Sequence, residues 1–162
     1  MDSTIDYIYD LLHQVKDPEI PILSIVDLGI VRNVEISGSK VFVTITPTYT
    51  GCPAMDFINV NIKATLQEKG FSDIVVQSVL SPAWTTDWIS ESGKEKLKSY
   101  GIAPPQQTTS NKSVLFASEV NIECPRCNSD NTELISQFGS TACKALYKCL
   151  NCKELFDYFK CH

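Results

Sequence analysis

Two cysteine pairs with the same spacing, Cys124-Pro-Arg-Cys127 and Cys149-Leu-Asn-Cys152, carry the clearest chemistry in this chain. Two thiolates two residues apart can wrap one side of a soft ion, because the tight turn between them aims both sulfurs inward. Two such turns close a tetrahedron, the arrangement Zn²⁺ prefers in a structural site. The 21 residues that separate them (128–148) exceed the commonest ribbon spacing, which suits two hairpin knuckles held apart by extra strand or loop. The spacing therefore predicts a four-cysteine zinc site. Rubredoxin-type iron would accept the same ligands, and two disulfides or buried apolar thiols are the plainer alternatives.

A second constellation lies in the N-terminal half. Cys52 stands in Gly51-Cys52-Pro53, at the expected start of a helix, where unpaired amides favour an anion and lower a thiol's pKa. Asp17-Pro-Glu19 and Asp27-Leu-Gly29 precede it in the chain. One reading places Asp17, Glu19 and Asp27 beside the Cys52 loop as a mixed carboxylate and thiolate site for iron or a cluster. The other makes Asp17 and Asp27 turn caps and Glu19 a solvated surface charge, since turns readily recruit Asp and Pro. Cys52 has the competing role of a buried inert thiol. The two histidines, His13 and His162, sit in the first helix and at the last residue, which argues against a Cys-His nucleophile. Cys143 and Cys161 could replace a ribbon ligand, face each other as a redox pair or simply pack as small hydrophobes, and Cys161-His162 could touch a partner's metal.

Elements that would position these groups follow from the pattern. Ile5, Ile8, Leu12 and Val15 share one stripe, so residues 3–15 read as a helix stopped by Asp17-Pro18. Ile30–Ile36 and Val41–Thr46 flank Ser37-Gly38-Ser39-Lys40 as a β-hairpin. A proline-stiffened loop (47–53) leads to a helix from Ala54 to Lys69, closed by Gly70, and Ile74–Leu80 reads as a third strand. The order α-β-β-α-β builds a small two-layer α/β domain. Asp87–Tyr100 reads as a short polar helix, 101–111 as a linker and Val114–Val120 as a strand. The expected domains are 1–100, a linker over 101–120 and a ribbon over 121–162. The aromatic tail Phe156–Phe159 would serve as a docking surface if left uncovered.

Composition narrows the classes. The chain has 162 residues, 43% hydrophobic and 20% charged, ordinary values for a globular protein. No apolar run is long enough to span a bilayer, and the acidic, polar start is unlike a signal or transit peptide. Residues 1–120 carry 9 Lys+Arg against 14 Asp+Glu, whereas 121–162 carry 5 of each. No basic face of the kind that neutralises nucleic-acid phosphates is evident. The expectation is a cytoplasmic protein with no nucleic-acid or membrane partner.

Two resemblances attach to these residues. Asp17–Val31 with Thr46–Pro53 looks like the small domain of iron–sulfur cluster assembly factors of the SufT kind, covering roughly 4–85, with the recurrent Asp-Pro-Glu, Asp-Leu-Gly and Cys-Pro marks at 17–19, 27–29 and 52–53. Phe138–Tyr147 and Phe156–His162 resemble the D subunits of the ring-1,2-phenylacetyl-CoA epoxidase system of aerobic phenylacetate degradation, over nearly the whole chain. These resemblances imply an accessory, non-catalytic subunit of a multicomponent di-iron oxygenase. Its partners would be the other subunits, with a homodimer as a further state. Its cofactors would be structural zinc and, transiently, iron or an iron–sulfur cluster. The chain itself offers no Glu-x-x-His ligand set of a di-iron bundle. A nucleic-acid-binding ribbon and a thiol redox protein are the alternatives from other classes.

Overall fold

A computed structural model describes residues 3–106 and 121–160; the expected strand 114–120, Cys161 and His162 lie outside them. The chain forms two compact units, 1–93 and 94–162.

In the first unit, helix α1 (Ser3–Leu12) is followed by strands β1 (Val31–Ser37) and β2 (Lys40–Ile45), helix α2 (Ala54–Glu68) and strand β3 (Asp73–Ser78). The sheet order is β1-β2-β3, with β1 antiparallel and β3 parallel to the central strand. The parallel pairing requires a crossover, which α2 supplies. Alternation along β2 decides which face is covered. Val41, Val43 and Ile45 are buried, while Lys40, Phe42 and Thr44 are half-exposed. Helix α1 packs on β1 and α2, and α2 on β3, so Ile8, Leu12, Ile58, Ile62 and Leu66 form one core with the inner face of the sheet.

The punctuation expected from sequence is present at the end of α2. Gly70 is left-handed (φ 94°), and the amides of Gly70 and Phe71 return to the carbonyls of Gln67 and Leu66, the double bond of a Schellman stop. Helix α1, expected to reach residue 15, ends at Leu12. The chain instead turns through His13 and Gln14 so that Val15 and Asp17 can form backbone bonds with Ile25 and Leu23, closing the 16–24 loop with a Lys16–Ser24 bridge.

Helix α3 (Glu91–Ser99) and strand β4 (Ile102–Ala103) follow a single 3₁₀ turn at Thr86–Trp88. The second unit adds β5 (Thr132–Ser136), β6 (Lys144–Cys149) and β7 (Leu155–Phe159), in the sheet order β4-β7-β6-β5. Residues 102–103, read from sequence as linker, are thus a strand of the ribbon sheet, parallel to β7. Two residues are too few for any periodic signal. Ala103, Ile122, Cys124, Cys149 and Phe156 form a buried apolar cluster in this unit, with Tyr147 and Tyr158 packed against it.

The aromatic tail is not the exposed docking surface expected of it. Strand β7 lies inside the sheet between β4 and β6, and Phe156 and Phe159 are 3% and 2% exposed. Tyr147 stacks on Phe156 at 5.9 Å and meets Tyr158 edge-on at 5.8 Å.

Candidate metal centre and the Cys52 region

The two cysteine knuckles are built alike. In each, the amide of the first cysteine donates to a carbonyl five residues on: Cys124 to Ser129 and Cys149 to Glu154, both at 2.9 Å. In each, the residue after the second cysteine is left-handed, Asn128 at φ 59° and Lys153 at φ 67°. That conformation turns the chain back so the loop encloses the sulfurs. Asn is among the residues that tolerate it, whereas Lys carries a steric cost. A second link joins the knuckles: Leu150 donates to the Asn131 carbonyl at 2.8 Å, and the Asn131 side-chain amide meets that of Asn151 at 3.2 Å.

The result is a compact sulfur cluster. All four Sγ atoms lie within 4.8 Å of one another, with Cys127–Cys149 at 3.5 Å and Cys124–Cys152 at 3.8 Å. A tetrahedron with metal–sulfur bonds of about 2.3 Å has edges of about 3.8 Å, so the donor set fits a zinc ion. Cys124 and Cys149 are buried and Cys127 and Cys152 exposed, so the ion would sit at the rim of the core.

The thiols share protons unequally. Cys149 is drawn down to about 6, first by the Cys152 amide that donates to its sulfur. Cys152 is pushed up to about 12: the Glu154 amide pulls it down, but burial and the neighbouring thiols outweigh that pull. Cys127 also rises: the Ser129 amide pulls it down, but burial and the Cys149 and Cys124 thiols outweigh it. Four sulfurs this close cannot all be thiolates without a cation between them.

Among the described residues, these four cysteines are the one group bringing three or more candidate ligand atoms together. Cys143 is buried with its sulfur 3.1 Å from the Thr141 hydroxyl, outside the cluster.

Asp17, Glu19, Asp27 and Cys52 do not assemble into such a group. Asp17 is buried and its Oδ1 accepts the amides of Glu19 and Ile20, both at 2.8 Å. Asp27 is 2% exposed and forms a reciprocal box with Ser24, whose amide and hydroxyl donate to Oδ2 at 3.0 and 2.8 Å while the Asp27 amide donates to the Ser24 hydroxyl. Glu19 is exposed to solvent only in part. Cys52 is half-buried one residue before Pro53, the cap of α2, which makes no side-chain capping bond.

The Asp-Leu-Gly turn has a packing role that sequence reasoning missed. The Trp84 indole donates to the Leu28 carbonyl at 2.8 Å and the Ser90 amide to the Asp27 carbonyl at 2.8 Å. Gly29 is left-handed (φ 70°), and a Cβ there would lie 2.4 Å from the Trp88 carbonyl oxygen. Arg32 stacks over the Trp88 ring at 3.5 Å. The aromatic pair at 84 and 88 was the available signal, but nothing in the sequence says which turn it meets.

Comparison with known proteins accords with this division. Residues 108–160 match the family model of the PaaD zinc beta ribbon domain, and residues 5–72 match that of an iron–sulfur cluster assembly protein. An Escherichia coli K12 protein, by its name the D subunit of a "Putative 1,2-phenylacetyl-CoA epoxidase", is 48% identical over 154 residues, covering 95% of this chain and 91% of the relative. A Porphyromonas gingivalis protein named as an Fe-S protein maturation auxiliary factor is 37% identical over 92 residues, 55% of this chain and 86% of that protein. Among solved structures, a domain of unknown function DUF59 from Bacillus anthracis superposes with a TM-score of 0.54 at 30% identity, covering 57% of this chain and 89% of that one. The zinc-ribbon match and the four-thiol geometry together support structural zinc.

Proposed function

The chain belongs to the family of 1,2-phenylacetyl-CoA epoxidase D subunits, and on that basis we propose that it is a non-catalytic accessory subunit of a multicomponent oxygenase, assisting assembly of an iron or iron–sulfur centre through protein contacts. The observation that carries this reading is the pairing, in one chain, of an assembly-type α/β unit with a four-thiol cluster.

Each unit then has its own task. Zinc bound by Cys124, Cys127, Cys149 and Cys152 cross-links the two knuckles, and its four protein ligands leave no open position for substrate or oxygen. The ribbon acts by presenting a surface. In the N-terminal unit, Cys52 is the one cysteine, and it is half-exposed on the loop before α2. We assign it the role of a transient ligand for iron or a cluster in transit, with Glu19 as the second candidate ligand. Asp17 and Asp27 hold the neighbouring turns. A single thiol holds such cargo weakly, so the remaining ligands come from the client subunit, which makes delivery favourable once the client is engaged.

The partners are the other oxygenase subunits. A net charge of −5 favours protein over nucleic acid, whose binding needs phosphate neutralisation. Thiol chemistry of this kind belongs in the reducing cytoplasm. The test is the iron content and turnover of the oxygenase produced with this chain, without it and with its Cys52→Ala variant. Iron content should fall in the second and third cases. Equal iron content in all three would reduce the chain to a scaffold.

A further inference from the structure

The described strands present four sheet edges, and three of them carry features that discourage pairing. Strand β1 has a register shift between Val31 and Asn33 and exposes Arg32 and Glu35. Strand β5 has a shift between Leu134 and Ser136 and exposes Glu133. Strand β4 is only two residues long. Bulges, charges and short length are the usual protections of an edge. The fourth, β3, has neither bulge nor short length, and no charge inside the strand. It runs six residues, Asp73-Ile-Val-Val-Gln-Ser78, in unbroken register with β2, without proline and with its one charge at the first position.

The burial of β3 is also incomplete. Ile74 and Val76 stand beside Val41 and Val43. Those two are 1% and 0% exposed, while Ile74 and Val76 remain half-exposed. Helix α2, which packs on β3, carries the exposed Phe57 and Val60, 51% and 67% accessible. Apolar surface is thus left open on strand and helix alike.

We propose that a second copy of this chain pairs here, β3 against β3 in antiparallel fashion about a two-fold axis at Val75. The occupant follows from self-complementarity. A two-fold axis perpendicular to the sheet keeps both helix layers on one face, so residues facing each other must share a face, and the residue numbers of a pair must sum to an even value. Centring on Val75 satisfies this and sets Val75 against Val75, Ile74 against Val76, and Asp73 against Gln77. Apolar residues meet apolar ones, and the carboxylate meets an amide rather than another carboxylate. Centring instead on Val76 would leave only Val76 opposite an apolar partner, itself, with Ile74 against Ser78 and Val75 against Gln77. The paired form is a continuous six-stranded sheet in which Ile74 and Val76 reach the burial of Val41 and Val43. This inference rests on the sheet edge and not on the proposed assembly role.

Sedimentation of the zinc-loaded full chain across a dilution series tests it, beside Val75→Lys and Val75→Thr. The wild type should associate reversibly to a dimer. Val75→Lys places two ammonium groups face to face at the axis and should be monomeric, whereas Val75→Thr, still β-branched and uncharged, should remain dimeric. Amide exchange supplies a readout that does not depend on any variant folding: protection of residues 73–77 should fall on dilution while that of 41–45 holds. A wild type that is monomeric throughout, a Val75→Lys protein that is folded and dimeric, or protection at 73–77 independent of concentration would overturn the proposal.

Discussion

At the scale of single residues, the metal centre is a problem of charge. With Cys149 lowered to about 6 and both Cys127 and Cys152 raised, the metal-free cluster at neutral pH holds a thiolate on Cys149 and protons on the other two. Zinc must displace those protons, so its apparent affinity should rise as pH rises through neutrality, by roughly tenfold per proton displaced per pH unit. Competition against a chromophoric chelator at several pH values measures this, and an affinity flat with pH would contradict the shared-proton picture. Cys149→Ser should abolish stoichiometric zinc, whereas Cys143→Ala, outside the cluster and beside Thr141, should leave it unchanged; elemental analysis decides. Alkylation should reach half-exposed Cys52 before buried Cys143, read by mass spectrometry. The paired spacing made the four ligands readable from sequence, since spacing alone sets which sulfurs can converge. What supports them was not readable. The amides of Cys124 and Cys149 seek the carbonyls of Ser129 and Glu154, and any residue has a carbonyl. The left-handed turn at Asn128 suits its residue type, but that at Lys153 contradicts local preference and is imposed by the closure of the knuckle.

At the scale of elements, legibility followed periodicity and punctuation. The hairpin across Gly38 and helix α2 with its Gly70 stop were readable because apolar spacing and a turn residue agreed at each. The 81–93 stretch was not, because its job is tertiary: Trp84, Trp88 and Ser90 fasten onto the turn over residues 27–29. The β7 tail misled for a related reason. An aromatic run signals apolar surface equally well whether its strand is central or open to solvent, and only the neighbours β4 and β6 distinguish the two cases. The Asp-Leu-Gly turn therefore has a sharp test. Gly29→Ala forces a left-handed alanine and drives its methyl against the Trp88 carbonyl at 2.4 Å, and should destabilise the first unit by roughly 2–4 kcal/mol. Gly51→Ala, equally left-handed at φ 78° but with nothing within 4 Å, should cost only about 1 kcal/mol. Denaturant unfolding followed by tryptophan fluorescence compares them directly, since both tryptophans, Trp84 and Trp88, lie in that unit. Equal losses would mean the close approach to Trp88 relaxes without strain.

At the scale of the whole molecule, the two units are held by different forces. The first buries a continuous apolar core from α1, α2 and the inner face of its sheet, with Ile8, Leu12, Val43, Ile58, Ile62 and Leu66 each at most 1% exposed. Among the described residues of the second, a buried cluster joins Ala103, Ile122 and Phe156 to two cysteines of the metal centre, Cys124 and Cys149. A core that includes metal ligands loses an organising link when the metal leaves, and structural zinc contributes about 10–16 kcal/mol in zinc-finger peptides. Metal removal should therefore act on one unit only. A strong chelator added to the full chain should abolish amide protection in β6 and β7 while β1, β2 and α2 keep theirs, and tryptophan emission from Trp84 and Trp88 should stay native. Restoring zinc should restore protection at β6 and β7, because the ligands that close the site are the residues that organise the sheet. Loss of protection in both units together would mean that they form one cooperative body and that the metal supports the assembly-type unit as well. Retention of protection at β6 and β7 without metal would mean that Phe156, Tyr147 and Tyr158 suffice to hold the ribbon. The expected outcome, a folded first unit and an unfolded second, would separate the Cys52 loop from the metal centre, so that any effect of zinc loss on the oxygenase could be assigned to the ribbon rather than to the role proposed for Cys52.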